Sequence, residues 1–271
     1  MKKRFPILAA LILMTALSFS GCKKKETVDL TGIHTSEAET MASSETKEAE
    51  TKPEETAAEE TTAAASAADS LNVRSQIATY KDGKVSIEYP ILSNLRDTDT
   101  EKKVNELIKE TATKLVTAYE LNPETDTVSV KCDVISLERT KAVLSFSGDL
   151  STDGAAHPTS LFYTMTVDLS KGTLKGLSDF ADPYTMAGYI VSDDCIITKS
   201  VDDTAAKEYL SSQDVNLIWD ILKKSDFTSA DDGTFPEAFS YVNQGTVYIS
   251  VPVSHALGDY VIESSIQKIN N

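Results

Sequence analysis

From Lys23 to Ser70 the chain has no aromatic residue, and its only large apolar side chains are Val28, Leu30, Ile33 and Met41. A stretch of Glu, Thr, Ala, Ser and Lys of this kind cannot bury enough apolar surface to offset the entropy lost on ordering it. Folding is therefore confined to Leu71–Asn271, and residues 22–70 are expected to be a disordered acidic tether. As a flexible coil it would reach on the order of 40 Å, and further as its acids repel one another. No second linker divides the part that can fold, although its first strand and helix, about 71–123, could form a small subdomain.

Ahead of the tether, Lys2, Lys3 and Arg4 precede an apolar run from Phe5 to Phe19. The run is shorter than the roughly 20 residues a membrane-spanning helix needs and has the order of an export signal. It ends "LSFSGC", with Ser20 and Gly21 before Cys22. Charge follows the same division. The tether carries five basic and twelve acidic residues, and the segment from Leu71 onward is left with a net charge of about −12. A domain this acidic argues against nucleic acid as a partner and favours encounter with basic ones.

The folding segment reads as α+β: an antiparallel sheet with two or three packed helices. "KVSIEYP" alternates Val85, Ile87 and Tyr89 as a strand that Pro90 should end. "TDTEKKVNELIKETATKLVTAYELNP" then places Val104, Leu107, Ile108, Ala112, Leu115, Val116 and Tyr119 on one helical stripe, with Thr98 and Glu101 at capping-box spacing. "TVSVKCDVISLE" alternates so that Cys132 faces the core. "KAVLSFSGDL" and "SLFYTMTVDL" form an antiparallel pair. The second presents Leu161, Tyr163, Met165, Val167 and Leu169 on one face and Thr164, Thr166 and Asp168 on the other. The loop "STDGAAHPT" joins them. Pro183–Val201 has no readable period. "DVNLIWDILKK" is helical with Leu217, Ile218, Ile221 and Leu222 inward, and "FSYVNQGTVYISVPV" is a hairpin turning at Asn243–Gly245.

Catalytic signatures are missing from the sequence. There is no G-x-S-x-G elbow, phosphate-binding loop, H-E-x-x-H or Cys-His zinc spacing, so neither a metal nor a cofactor is expected. His157 lies in "DGAAHP" with Asp153, Gly154 and Pro158. There it is either a turn residue or, beside an acid, a general base. His255 follows Ser254, but neighbours on a strand point to opposite sides, so adjacency alone makes no dyad. Cys132 and Cys195 would be free to pair outside the cytoplasm, and two buried apolar thiols are an equal alternative.

"LSFSGC" resembles the lipobox of bacterial lipoproteins, with Phe19 where leucine is usual. The resemblance implies signal cleavage before Cys22, a lipid thioether on its sulfur, and anchoring at the outer face of the cytoplasmic membrane of a Gram-positive type bacterium. "GAAHPTSLFYTMTVDLSKGTLKGLSDF" is similar to a motif of the extracytoplasmic domain shared by the lysozyme-sensing anti-sigma factor RsiV and the peptidoglycan deacetylase PdaC. Gly154 to His157, Asp168 with Leu169, Lys171 with Gly172, and Leu177 to Phe180 carry the likeness. "IEYPILSNL" and the closing hairpin extend it over most of Ile87–Val261. Ala155 stands in place of a family glycine, and the family's last segment is shortened to "VSHALGDY". The deacetylase's catalytic domain has no counterpart. The resemblance implies a non-enzymatic binding module for peptidoglycan or a wall-degrading enzyme such as lysozyme, with Asp153, Gly154, His157, Pro158 and His255 as candidate binding residues. The alternatives are an envelope-acting hydrolase or transferase that uses His157, and a solute-binding lipoprotein. The antiparallel pattern argues against the two α/β lobes usual in the latter. The sequence sets no oligomeric state.

Overall fold

A computed structural model describes residues 72–228 and 234–265, all within one compact unit. The export signal, Cys22 and the tether lie outside the described residues. None of the described helices is long and apolar enough to cross a membrane.

The class is α+β, with two sheets and four α-helices among the described residues. The first sheet runs in chain order: β1 (Arg74–Asp82), β2 (Val85–Ser93), then, after α1 (Thr98–Ala118), β3 (Thr127–Leu137), β4 (Lys141–Ser151), β5 (Thr159–Asp168) and the short β6 (Thr173–Lys175). Every pairing is antiparallel except β2 with β3, because α1 carries the chain back to the end where β2 began. The second half adds α2 (Pro183–Ile190), β7 (Ile196–Lys199), α3 (Asp203–Ser211), α4 (Val215–Leu222), β8 (Phe239–Asn243), β9 (Thr246–Pro252) and β10 (Tyr260–Ser264). Its four strands lie in the order β7-β10-β9-β8, all antiparallel.

Pro90 does not end β2. The strand continues to Ser93, paired along its length with β1, while β3 pairs only with Val85–Ile87. At Pro90 one side of β2 has no strand neighbour, a position where proline is tolerated. A side chain covers that bare edge further on. Asn105 of α1 accepts from Leu92 N and donates to Leu92 O, both at 2.8 Å, as a partner strand would. The helix begins one residue before the expected box: Asp97 is the N-cap and accepts from Thr100 N at 2.8 Å. Val104, Ile108, Ala112 and Leu115 are fully buried, but Tyr119, at the helix end, is 46% exposed.

The threonine face of β5 is covered as fully as its apolar one. Thr164 and Thr166 are as buried as Tyr163 and Val167. The odd-numbered face packs toward α1, where Tyr163 OH donates to Ala112 O at 2.8 Å. On the even-numbered face Thr164 Oγ1 donates to Ser240 O of β8 at 2.9 Å, so the second sheet covers the polar side. Each sheet has its own core. α1 fills the first with Val104, Ile108 and Leu115; α2, α3 and α4 fill the second with Ile190, Leu210 and Leu222. On α4 the inward stripe is Ile218 and Leu222, and Leu217 is 50% exposed. The segment without a readable period contains α2 and β7, whose exposed residues leave no apolar alternation.

Between α4 and β8 the chain is held by one buried carboxylate. Asp226 Oδ2 accepts from Leu177 N at 2.8 Å and Ser240 Oγ at 2.7 Å, and Oδ1 accepts from Ser240 N at 2.7 Å. Its own N–H donates to Ala238 O at 3.0 Å. The backbone is left-handed here, φ 60°, and this reversal directs Phe227 to Tyr163 in the first core. Phe235 and Phe239 join the same aromatic group. Burial pushes the Asp226 carboxyl up to about 6, against the lowering effect of its Ser240, Leu177 and Ser225 donors. Glu263 of β10 is also buried. Neither of its oxygens has a hydrogen-bond partner, and burial raises it well above the ordinary carboxylate value.

Cys132 and Cys195 are buried free thiols, so the pairing that an oxidising compartment would allow is not formed. Cys132 faces the first core from β3, whereas Cys195 precedes β7 in the other sheet. Burial raises both to about 12, which keeps them protonated and unreactive.

Two outcomes follow from the buried acids. Asp226→Asn sets an N–H2 against donors that need an acceptor, and should cost about 2–4 kcal/mol in urea unfolding. The second outcome concerns pH. In the unfolded chain Asp226 and Glu263 release protons near 3.8 and 4.5, while the folded protein holds them to higher pH. Their contribution is complete below the unfolded values and is lost as pH rises through the folded ones. Urea stability should therefore have a component that falls as pH rises above about 4, and Glu263→Gln should reduce it.

Candidate functional site

The candidate residues gather where the β4–β5 loop meets the β9–β10 turn. The loop is shaped locally. Ala155 N donates to Thr152 O at 3.0 Å, closing a turn with Gly154 at φ 79°, a conformation that suits glycine. Asp153 contributes through its backbone: its N–H donates to Asp126 Oδ1 at 2.9 Å. Asp126 also accepts from Asn122 N at 2.8 Å, and these two N–H groups hold its carboxyl below the ordinary value. The loop is thus anchored to the segment entering β3. Pro158 leads into β5, and Asp153 through Pro158 are all exposed.

His157 and His255 come together although 98 positions separate them. Their rings stack with centroids 5.9 Å apart and planes 20° apart. His255 Nδ1 lies 2.8 Å from Asp259 Oδ1. A carboxylate only accepts, so Nδ1 is the donor in this bond. The other oxygen, Oδ2, accepts from Ser160 N at 2.7 Å. One carboxylate therefore orients the imidazole and bolts the β9–β10 turn to the start of β5. Gly258 and Asp259 both have left-handed backbone, φ 95° and 71°, which turns the carboxylate back over the loop.

An aromatic group continues this surface. Phe162, the residue after Leu161 on β5, stacks on Tyr260 of β10 at 5.2 Å between centroids. Lys199 Nζ lies over both rings, at 5.6 Å and 5.3 Å. Exposed Val201 borders Gly258, whose missing Cβ would fall 2.6 Å from its methyl carbon. Two imidazoles, two stacked rings, an ammonium and a methyl edge form one mixed surface with side-by-side polar and apolar parts.

The two histidines among the candidates are joined, Asp153 and Gly154 shape the loop, and Pro158 stiffens its exit. Asp259, Ser160, Phe162, Tyr260 and Lys199 were not singled out by sequence. The Gly-Asp pair in "LGDY" was a usable turn signal, and Phe162 stood out as a large aromatic on the threonine face of its strand. Among the described residues no group of three His, Cys, Asp or Glu could hold a metal ion. Ser254, the hydroxyl next to His255 in sequence, caps a 3-10 turn (His255–Leu257), and its side chain makes no capping hydrogen bond there. The arrangement can offer hydrogen bonds and ring faces to a ligand, with no hydroxyl or thiol shown poised against an imidazole.

Removing the bolt tests this account. Asp259→Ala should free the Ser160 amide and raise its hydrogen-exchange rate at least roughly tenfold, with the far-UV spectrum unchanged.

No protein-family profile matches the chain, and no curated protein matches it. Among solved structures, it is similar to a DUF3298 family member from Bacteroides fragilis, at 12% identity and a TM-score of 0.39, covering 71% of this chain and 88% of that one. It is also similar to a DUF3298 family protein from Pseudomonas aeruginosa, at 13% identity and a TM-score of 0.37, covering 70% and 89%.

Proposed function

We propose that the protein is a lipid-anchored, non-enzymatic binding module of the cell envelope, and that the His157–His255 surface takes peptidoglycan or a wall-degrading enzyme such as lysozyme. The observation that carries this reading is the joining of two distant loops through Asp259 into one face of exposed imidazoles and half-buried aromatic rings. Building such a face on loops anchored by buried or part-buried hydrogen bonds is a way to preorganise recognition. Ring faces suit the apolar sides of sugars, and imidazole edges suit hydroxyls and amides.

The placement of the face fits an anchored module. The chain enters the first sheet at Arg74, at the same end as Lys141, whereas the His157 loop leaves β4 from its other end, Ser151. Eleven residues of strand separate the ends of β4 by roughly 35 Å. A tether lipidated on Cys22 would join the domain at the end away from the histidine face. Animal-type lysozymes are basic, so about −12 on the domain would speed their encounter.

The test is retention of the full mature chain on immobilised lysozyme and on purified peptidoglycan, at low and moderate salt. One of the two should retain it. His157→Ala and Tyr260→Ala should each weaken retention about 3–30-fold, the first of them without changing thermal unfolding. Retention by neither support would sink the reading, as would hydrolysis or transfer on wall fragments that His157→Ala abolishes.

A further inference from the structure

At the opposite end of the first sheet, the β2–α1 connection, the β3–β4 turn and the β5–β6 turn surround a cavity of about 450 Å³. Val73, Asn94, Leu95, Arg96, Arg139 and Thr140 line it together with Ser170. Its two charges are both guanidinium groups, in a domain whose acids outnumber its bases by about twelve.

The nearby carboxylates make their hydrogen bonds and ion pairs with other groups, although Asp97 also feels the charge of Arg96. Asp97, next to Arg96, caps α1 through Thr100 N and Oγ1. Glu101 accepts from Leu95 N, and Glu138, next to Arg139, pairs with Lys141 at 3.2 Å. Asp168 accepts from Ser170 N and Lys171 N and faces Lys175. Two guanidinium groups therefore border a hollow also lined by Thr140, Ser170 and Asn94, whose amide donates to Asn72 O as well.

We propose that this cavity is a binding site for the phosphate group of a small molecule. Arginine forks bind the oxygens of a phosphate bidentately, and hydroxyl and amide donors complete its shell. The volume lies within the range of small-molecule sites and exceeds what a bare phosphate fills; Val73 and Leu95 provide an apolar wall for a carbon skeleton. A long polyanion or an anionic membrane would be repelled by the rest of the domain, so the charge balance favours a small phosphate ester or free phosphate.

Calorimetric titration of the full mature chain with glucose 1-phosphate, inorganic phosphate and glucose tests the site. Saturable binding of the ester, of phosphate or of both is expected, with none of glucose, and the first two arms separate an ester site from a phosphate site. Arg96→Ala and Arg139→Ala should each weaken binding at least roughly tenfold, and Arg139→Lys should also weaken it because the fork is lost. Both arginines are exposed, so thermal unfolding should not change. The proposal is overturned if neither phosphate compound binds by about 10 mM, past the millimolar range of weak specific sites. It is also overturned if the arginine variants bind as well as the parent, or if only phosphatidylglycerol vesicles bind.

Discussion

The four hydrogen bonds of Asp226 hold together segments that the chain order keeps apart. Leu177 follows the first sheet, Asp226 follows α4, and Ser240 belongs to β8. A carboxylate sealed from water is costly unless its lone pairs are used, and here backbone amides and hydroxyls from the three segments use them. The left-handed turn at the same residue sends Phe227 toward Tyr163, so the polar junction and the aromatic cluster form at one point. The second sheet can cover the threonine face of β5 only because this junction places β8 against it.

Acidic side chains act as structural acceptors elsewhere too. Asp97, Asp182, Asp202 and Asp214 cap the four helices, Asp126 anchors the β4–β5 loop, and Asp259 bolts that loop to the β9–β10 turn. The negative composition is thus partly a record of local backbone chemistry. The acids beside the two arginines at one sheet end likewise bond to backbone donors or lysines.

The two ends of the first sheet offer different chemistry. One presents imidazole and stacked aromatic rings; the other presents guanidinium groups around a hollow. Strands such as β4 are long enough to keep the two surfaces from sharing a ligand of modest size.

Periodicity by itself determined the amphipathic α1, the alternating β3–β5 strands, the closing hairpin and the α+β class, since each depends on spacing along the chain. It also marked Gly154 and His157 as belonging to a loop between two strands. What it could not determine was which surfaces would be covered. Thr164 and Thr166 have the polarity of a solvated face, and only the arrival of β8 buries them. β1, exposed along nearly all its length, and β7 have no apolar alternation, so their strands exist through pairing with neighbours. Pro90 survives inside β2 because β3 departs before it. His157 and His255 were visible singly, but their stack depends on a carboxylate at Asp259 reaching Ser160, a contact between residues 99 apart. Spacing is a local property that a sequence carries; coverage and convergence are long-range, and tertiary packing alone decided them.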